Sequence, residues 1–411
     1  MKRSIVLLTI TAVALFLAVN TSAFAQAAGT HFSVPASNLE QPGHFHTNLI
    51  AVLPDNAIAQ NSPPTAANTP ASVACVYKLV SPLVSGCPIA TTTKNPSGGK
   101  GAIAIVDAYD DPNAVSDLNT YSSQFGLPAA TFQVLYASGK KPGVDPTGGW
   151  ELEEALDIEI SHAMAPAAQL FLVEAASNSD TDLYNAETFA YNTVAAAGGG
   201  VVSNSWSSSE FSGETSDDHY VSGQGVVFFA STGDSAFAKG YPAMSPNVVA
   251  AGGTTVQRDS SGNFTTEIYW DNQYGGGGGG ISSYEKIPPY QTPIKSIVGT
   301  HRGVPDISLV ADPATGVAEY DSYAYEGFVY DWLQIGGTSV SSPALAGIIN
   351  AAGTLTSTST TGSELTKFYK EYANANQYKQ VWRDITGTNS NCKVGWDICT
   401  GIGVPITYRG K

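Results

Sequence analysis

The chain has 411 residues, with 19 basic against 35 acidic side chains, a formal net charge of −16 and only 13% charged residues. An acidic excess of this size repels nucleic acid and anionic membranes, so neither is expected as a partner. Neutral polar groups must then cover much of the surface, and protonating carboxylates in acid would break few surface ion pairs.

Lys2 and Arg3 precede an apolar run over residues 5–19, and Ala23-Phe24-Ala25 follows. Basic, apolar and small-residue segments in that order predict a secretory signal over residues 1–25, hence a secreted protein, extracellular or periplasmic. The apolar core is shorter than the roughly 20 residues that cross a bilayer. Cleavage after Ala25 removes two basic residues and no acidic one, which deepens the negative charge.

Residues 26–99 are rich in Pro, Ala, Asn, Ser and Thr and predict an extended N-terminal segment or short propeptide. The four cysteines fall in two close-spaced pairs, Cys75 with Cys87 and Cys392 with Cys399. In an exported chain two local disulfides are the default, and zinc is the weaker reading because neither pair has the spacing of a tetrahedral site.

From residue 100 to 411 the texture is that of one large α/β domain. Short apolar runs at 102–106, 169–173, 201–205 and 226–231 read as strands buried on both faces. Helix-like stretches at 150–163, 182–197 and 216–223 lie between them. This alternation predicts a mostly parallel sheet flanked by helices on both faces, with function at the carboxyl ends of its strands.

The stretch 150–160 carries Glu151, Glu153, Glu154, Asp157 and Glu159. Glu153 and Asp157, four apart, share one helical face and could share a proton; a solvated acidic face is the alternative. Further on, Ser203-Asn204-Ser205 leads to Trp206, and an apolar strand ends in Gly233-Asp234, which a simple turn would also explain. The glycine run 275–280 is either a substrate-side loop or a flexible surface loop.

Gly336-Gly337-Thr338-Ser339-Val340-Ser341-Ser342-Pro343 opens a small-residue apolar stretch. The glycines allow close backbone approach, and Ser339 falls at a helix N-terminus, where free N–H groups and the dipole favour developing negative charge. A plain cap before a buried helix is the alternative. None of the six histidines stands in a base-like motif. His162, closest to one, fits better as a dipole partner in a last helical turn.

GGTSVSSP resembles the nucleophile segment of the subtilisin fold, and the acidic helix stands where a subtilisin carries its histidine. Together they resemble the sedolisin family, serine-carboxyl peptidases with a Ser-Glu-Asp triad. That resemblance implies a subtilisin-like fold, Ser339 as nucleophile, Glu153 as base, Asp157 as the acid orienting it, and Asp234 as a protonated oxyanion donor. Asp107 would buttress the acidic pair, and Trp206 would be either a substrate-strand residue or core.

It also implies one structural calcium, held by Asp384, the carbonyls of Ile385, Lys393 and Gly395, and Asp397. The function implied is a monomeric, acid-acting endopeptidase on protein or peptide substrates, active at roughly pH 3 to 5 given reference carboxyl values near 4. A catalytically inactive binding or adhesion domain on the same fold is the rival. Family members usually carry a much longer folded propeptide than the residues upstream of 100 provide.

Overall fold

A computed structural model describes residues 29–387 and 389–411. The signal-like segment 1–25 lies outside them. In chain order the elements that position the site are β1 (Thr30–Ser33), β2 (His46–Thr47), β3 (Ile50–Pro54), α1 (Pro70–Val76), β4 (Ala102–Ala108), α2 (Ala114–Phe125), β5 (Thr131–Tyr136), α3 (Gly149–Met164) and β6 (Gln169–Ala175). There follow α4 (Asp180–Ala196), β7 (Gly200–Asn204), β8 (Trp206–Ser209), β9 (Val226–Ser231), β10 (Gly240–Tyr241), β11 (Val248–Arg258), β12 (Phe264–Tyr269), α5 (Lys295–Val298) and α6 (Thr338–Ala351).

The central sheet has eight strands in the order β12-β11-β9-β7-β4-β6-β5, with Ile307–Val310 also paired to β11. From β11 to β5 every pairing is parallel, and only β12 runs antiparallel. This is the expected subtilisin-like α/β arrangement, and β4, β6, β7 and β9 coincide with the four apolar runs read as strands.

Alternation along β4 explains why both faces are dry. Ile103 and Ile105 pack with Leu152 and Leu156 of α3 and Leu345 and Ile348 of α6. Ala102, Ala104 and Val106 face Leu183, Ala186 and Ala190 of α4 on the other side. Burial on two faces leaves no position for a polar stripe, hence the continuous apolar runs.

The structure departs from the sequence reading in two places. Residues 216–223 form turns after a short 3-10 segment at Glu214–Ser216 rather than a helix, because Gly213, Ser216, Gly223 and Gly225 break so short a stretch. Residues 29–99 carry more structure than a stapled extended segment. β1 pairs with β3, β3 pairs with Asp331–Gly336, β2 pairs with β8, and α1 sits in the core. Both cysteine pairs are disulfide-bonded as expected.

Candidate active site

The nucleophile candidate is placed by the turn from Asp331–Gly336 into α6. Gly337 has φ +113°, and a Cβ there would lie 2.2 Å from the Asn48 carbonyl oxygen, so only glycine fits. Ser339 therefore enters in the first turn of α6, with its N–H aimed at that same carbonyl, 3.1 Å away. Pro343, one turn on, cannot donate to the Ser339 carbonyl as an ordinary helical residue would. The Ser205 hydroxyl stands 3.3 Å from that carbonyl instead.

Opposite lies α3, all sixteen of whose residues are buried. The reading of its acidic run as a solvated face is thereby excluded. Asp145 anchors the helix start, its Oδ2 accepting from the N–H groups of Gly149 and Trp150 at 3.1 and 3.2 Å. Among the described residues, no Lys or Arg forms an ion pair with Glu151, Glu153, Glu154, Asp157 or Glu159.

Burial, then repulsion from Asp157 and Asp107, holds the Glu153 carboxyl well above the usual range, against a counter-effect from the nearby Ser339 hydroxyl. At rest that hydroxyl donates to the Ser205 carbonyl at 3.2 Å, in competition with the Glu153 carboxyl nearby. Burial also raises Asp157, while its hydrogen bond with Ser205 lowers it. Asp107, at the end of β4, is raised by burial and by Asp157 and Glu174.

Ser205 ties Asp157 to the nucleophile turn. Its hydroxyl lies 2.8 Å from Asp157 Oδ1 as well as near the Ser339 carbonyl. One hydroxyl hydrogen cannot serve both acceptors. The shorter contact, to Asp157 Oδ1, takes that hydrogen, which is why Ser205 acts to lower Asp157 against its burial.

Asp234 is arranged differently. Its Oδ1 accepts from the Thr338 N–H at 2.7 Å and the Thr338 hydroxyl at 2.9 Å. Its Oδ2 is buried without a hydrogen-bond partner. Burial pushes this carboxyl up to about 7, despite the two bonds from Thr338. With Oδ1 already occupied, the proton belongs on Oδ2. That atom shares the space over Gly337 with the Asn48 carbonyl oxygen.

The glycine run 275–280 buttresses this turn instead of waving in solvent. Gly276 and Gly278 donate to the carbonyls of Asp234 and Gly233 at 3.0 and 2.8 Å. A Cβ on Gly278 would meet the Thr232 carbonyl at 1.9 Å. Trp206 is core: its indole N–H donates to the Val106 carbonyl at 2.8 Å and its ring packs on Phe45. His162 meets the Pro128 carbonyl at 2.9 Å, and burial lowers its pKa.

The structure thus brings Ser339, Glu153, Asp157 and Asp234 together at one end of α3 and α6. Sequence reasoning missed Ser205, Asn48, Ser207 and Ser231. Ser205 had one usable signal, its place just before Trp206 at a strand end; the others are assembled only by tertiary folding.

The chain is 29% identical over 407 aligned positions to kumamolisin from Bacillus sp. (strain MN-32) and 25% identical over 346 to sedolisin from Pseudomonas sp. (strain 101). In sequence the chain is similar to these sedolisin-family peptidases. The kumamolisin match covers 89% of this chain and 67% of that protein; the sedolisin match covers 75% and 57%. A solved structure of the Pseudomonas sedolisin, a serine-carboxyl proteinase complexed with two molecules of pseudo-iodotyrostatin, superposes with a TM-score of 0.65 at 22% identity. It covers 84% of this chain and 96% of that one, which establishes the shared fold. No protein-family model matches the chain.

A sedolisin-type calcium loop was expected from the sequence, and its five residues lie in one loop system. Asp384 Oδ2 accepts from the Gly395 N–H at 2.9 Å, and Asp397 Oδ2 from the Lys393 N–H at 2.6 Å. Repulsion from Asp384 adds to the burial that lifts Asp397 to about 6. Among the described residues the carbonyls of Ile385, Lys393 and Gly395 accept no hydrogen bond, and no cluster of three or more His, Cys, Asp or Glu is present. Two aspartates and three carbonyls in one loop are the oxygen donor types a hard cation takes, although both Asp397 oxygens and Asp384 Oδ2 accept backbone N–H bonds.

The buried acids also set how stability responds to pH. Burial raises Glu151 to about 8, Glu174 to about 9, Asp111 to about 7 and Glu187 to about 8, and holds Glu153, Glu154, Asp157 and Asp107 well above the ordinary carboxyl range. A carboxyl raised in the folded state binds more protons there than in the unfolded chain. Its contribution is complete below the ordinary value near 4 and is lost as pH rises through the folded value. The melting temperature of Ser339→Ala, followed by calorimetry, should be highest on the acid side and fall steadily from about pH 5 to 9; a rise over that range would contradict the assignment.

Proposed function

We propose that the chain is a secreted, acid-acting endopeptidase that hydrolyses protein or peptide substrates through an acyl-enzyme on Ser339. The observation that carries this reading is the unpartnered Oδ2 of Asp234, buried beside the space in which the Ser339 N–H ends. A carbonyl oxygen placed there meets an N–H and a carboxyl O–H, the two donors a tetrahedral oxyanion needs. The rival of an inactive binding domain has no use for two such donors beside a serine and a buried base.

In this mechanism Glu153 takes the Ser339 proton as Oγ attacks the substrate carbonyl. It returns that proton to the leaving amine. Asp157 and Asp107 keep the remaining charge of the trio shared, because losing one proton from three adjoining carboxyls is far easier than losing two. Water then enters with the roles reversed and frees the acid product.

The pH profile follows from the two sites. At low pH the Glu153–Asp157–Asp107 group is fully protonated and no base exists. Above about 7 Asp234 ionises and the oxyanion donor is lost. The upper limit therefore lies above the pH 3 to 5 read from reference values.

We assign calcium to the loop of Asp384, Ile385, Lys393, Gly395 and Asp397. When bound there it supplies positive charge that relieves the repulsion between the two aspartates and ties the loop together.

Initial rates on denatured haemoglobin should give a bell-shaped kcat/KM with an alkaline limb near pH 7, and none with Ser339→Ala. Glu153→Gln should lose about 10²- to 10⁴-fold. Asp234→Ala should lose about 10²- to 10³-fold, while Asp234→Asn, an N–H donor at every pH, should carry its activity past the wild-type limb. A maximum at pH 8 or above in the wild type would reject the carboxyl mechanism. For the metal, a chelator should lower the melting temperature of Ser339→Ala, and calcium at about a hundred times its Kd should restore roughly 2.7 kcal/mol. Asp397→Asn should abolish that response.

A further inference from the structure

The glycine run 275–280 carries no side chains, so its path is imposed by what packs against its backbone. One side of it holds the Asp234 turn through the N–H groups of Gly276 and Gly278. The other side rests on Tyr269, the last residue of β12, whose hydroxyl donates to the Gly277 carbonyl at 2.6 Å. The Phe237 N–H reaches that same carbonyl at 3.3 Å. One oxygen therefore ties the run both to β12 and to the residues just after Asp234.

Tyr269 is itself backed by a second element. It is 2% exposed and packs with Cys392, Cys399 and Phe237, its ring 5.3 Å from that of Phe237. The Cys392–Cys399 disulfide closes a short loop, with a sequence separation of 7. The same loop region meets the glycine hairpin at two more points. A Cβ on Gly279 would stand 2.2 Å from the Ile398 carbonyl oxygen, and the Asn389 amide donates to Asp271 Oδ2 at 3.0 Å. The glycine run is thus gripped between the Asp234 turn and a covalently closed loop, with Tyr269 between the two.

Resting on the peptidase reading above, we propose that Tyr269, backed by the Cys392–Cys399 disulfide, is a positioning residue for Asp234, holding the glycine run where it keeps Oδ2 turned to the substrate carbonyl. An oxyanion donor acts only at hydrogen-bond distance from the atom on which charge develops. A misplacement of about 1 Å can lower the rate about 10²-fold. Thr338 fixes one carboxyl oxygen of Asp234, but the backbone behind it is held by Gly276 and Gly278, which have no side chains to resist a shift. Packed rings and hydrogen bonds in an unbroken series are what carries such coupling between sites. Because the oxyanion exists only in the transition state, the contribution of Tyr269 belongs to kcat and not to KM.

The test is a double-mutant cycle on the full chain at about pH 4, with kcat and KM read on quenched fluorescent peptides. Tyr269→Phe keeps the ring against the disulfide and removes only the bond to Gly277. It should lower kcat about 10-fold and leave KM within about twofold. In the Asp234→Ala background, where no donor is left to place, the same change should lower kcat less than about twofold. A merely structural tyrosine would lower both backgrounds by the same factor. Cys392→Ser with Cys399→Ser should follow the pattern of Tyr269→Phe; if that protein does not fold, Tyr269→Phe decides the question by itself. No loss, equal fractional losses with and without Asp234, or a change in KM alone overturns the positioning role and leaves the peptidase reading standing. A wild type no faster than Ser339→Ala overturns both together.

Discussion

Carboxyl groups buried without cations must hold protons, and this constraint shapes the whole of the site. α3 carries five acidic residues into an interior where, among the described residues, no lysine or arginine pairs with them. Leaving each ionised would cost several kcal/mol, far more than a domain's margin can absorb. Protonation removes that cost, and it turns acceptors into donors. The same cluster that makes the fold favour acid therefore provides the O–H groups from which a proton relay can be built.

Proton placement then follows from hydrogen-bond counting. Ser205 gives its one hydrogen to Asp157 Oδ1, which favours the ionised form of that acid against its burial. Asp234 has one oxygen filled by Thr338 and one empty, so its hydrogen faces the cleft. Glu153 alone is free to exchange a proton with Ser339. Three acids of similar intrinsic strength acquire three roles from their surroundings, the principle by which paired carboxyls divide acid and base work. The glycines at 276 and 278 and at 337 let the backbone come close enough to fix those surroundings.

Much of this was legible in the residues because it rests on local pattern. The strands β4, β6, β7 and β9 are doubly buried and read as apolar runs. Ser339 announces itself through paired glycines before a small-residue helix, and Glu153 and Asp157 through their four-residue spacing. What escaped is what tertiary folding assembles. Residues 29–99 lack a long apolar run, yet they find order by adding strands to walls supplied by residues 206–209 and 331–336. Asn48 is one unremarked polar residue until Ser207 and Ser231, more than 150 positions away, close around its amide. The stretch 216–223 misled in the other direction, for it reads as helix-like yet forms turns between Gly213 and Gly225.

The central claim is that Asp234 is a neutral acid at working pH with its hydrogen turned to the cleft. Difference infrared spectroscopy of Ser339→Ala against Ser339→Ala with Asp234→Asn isolates its carboxyl band. The account predicts a protonated-acid carbonyl band that persists through acid pH and titrates away near 7. A band replaced by carboxylate below pH 5 would contradict it.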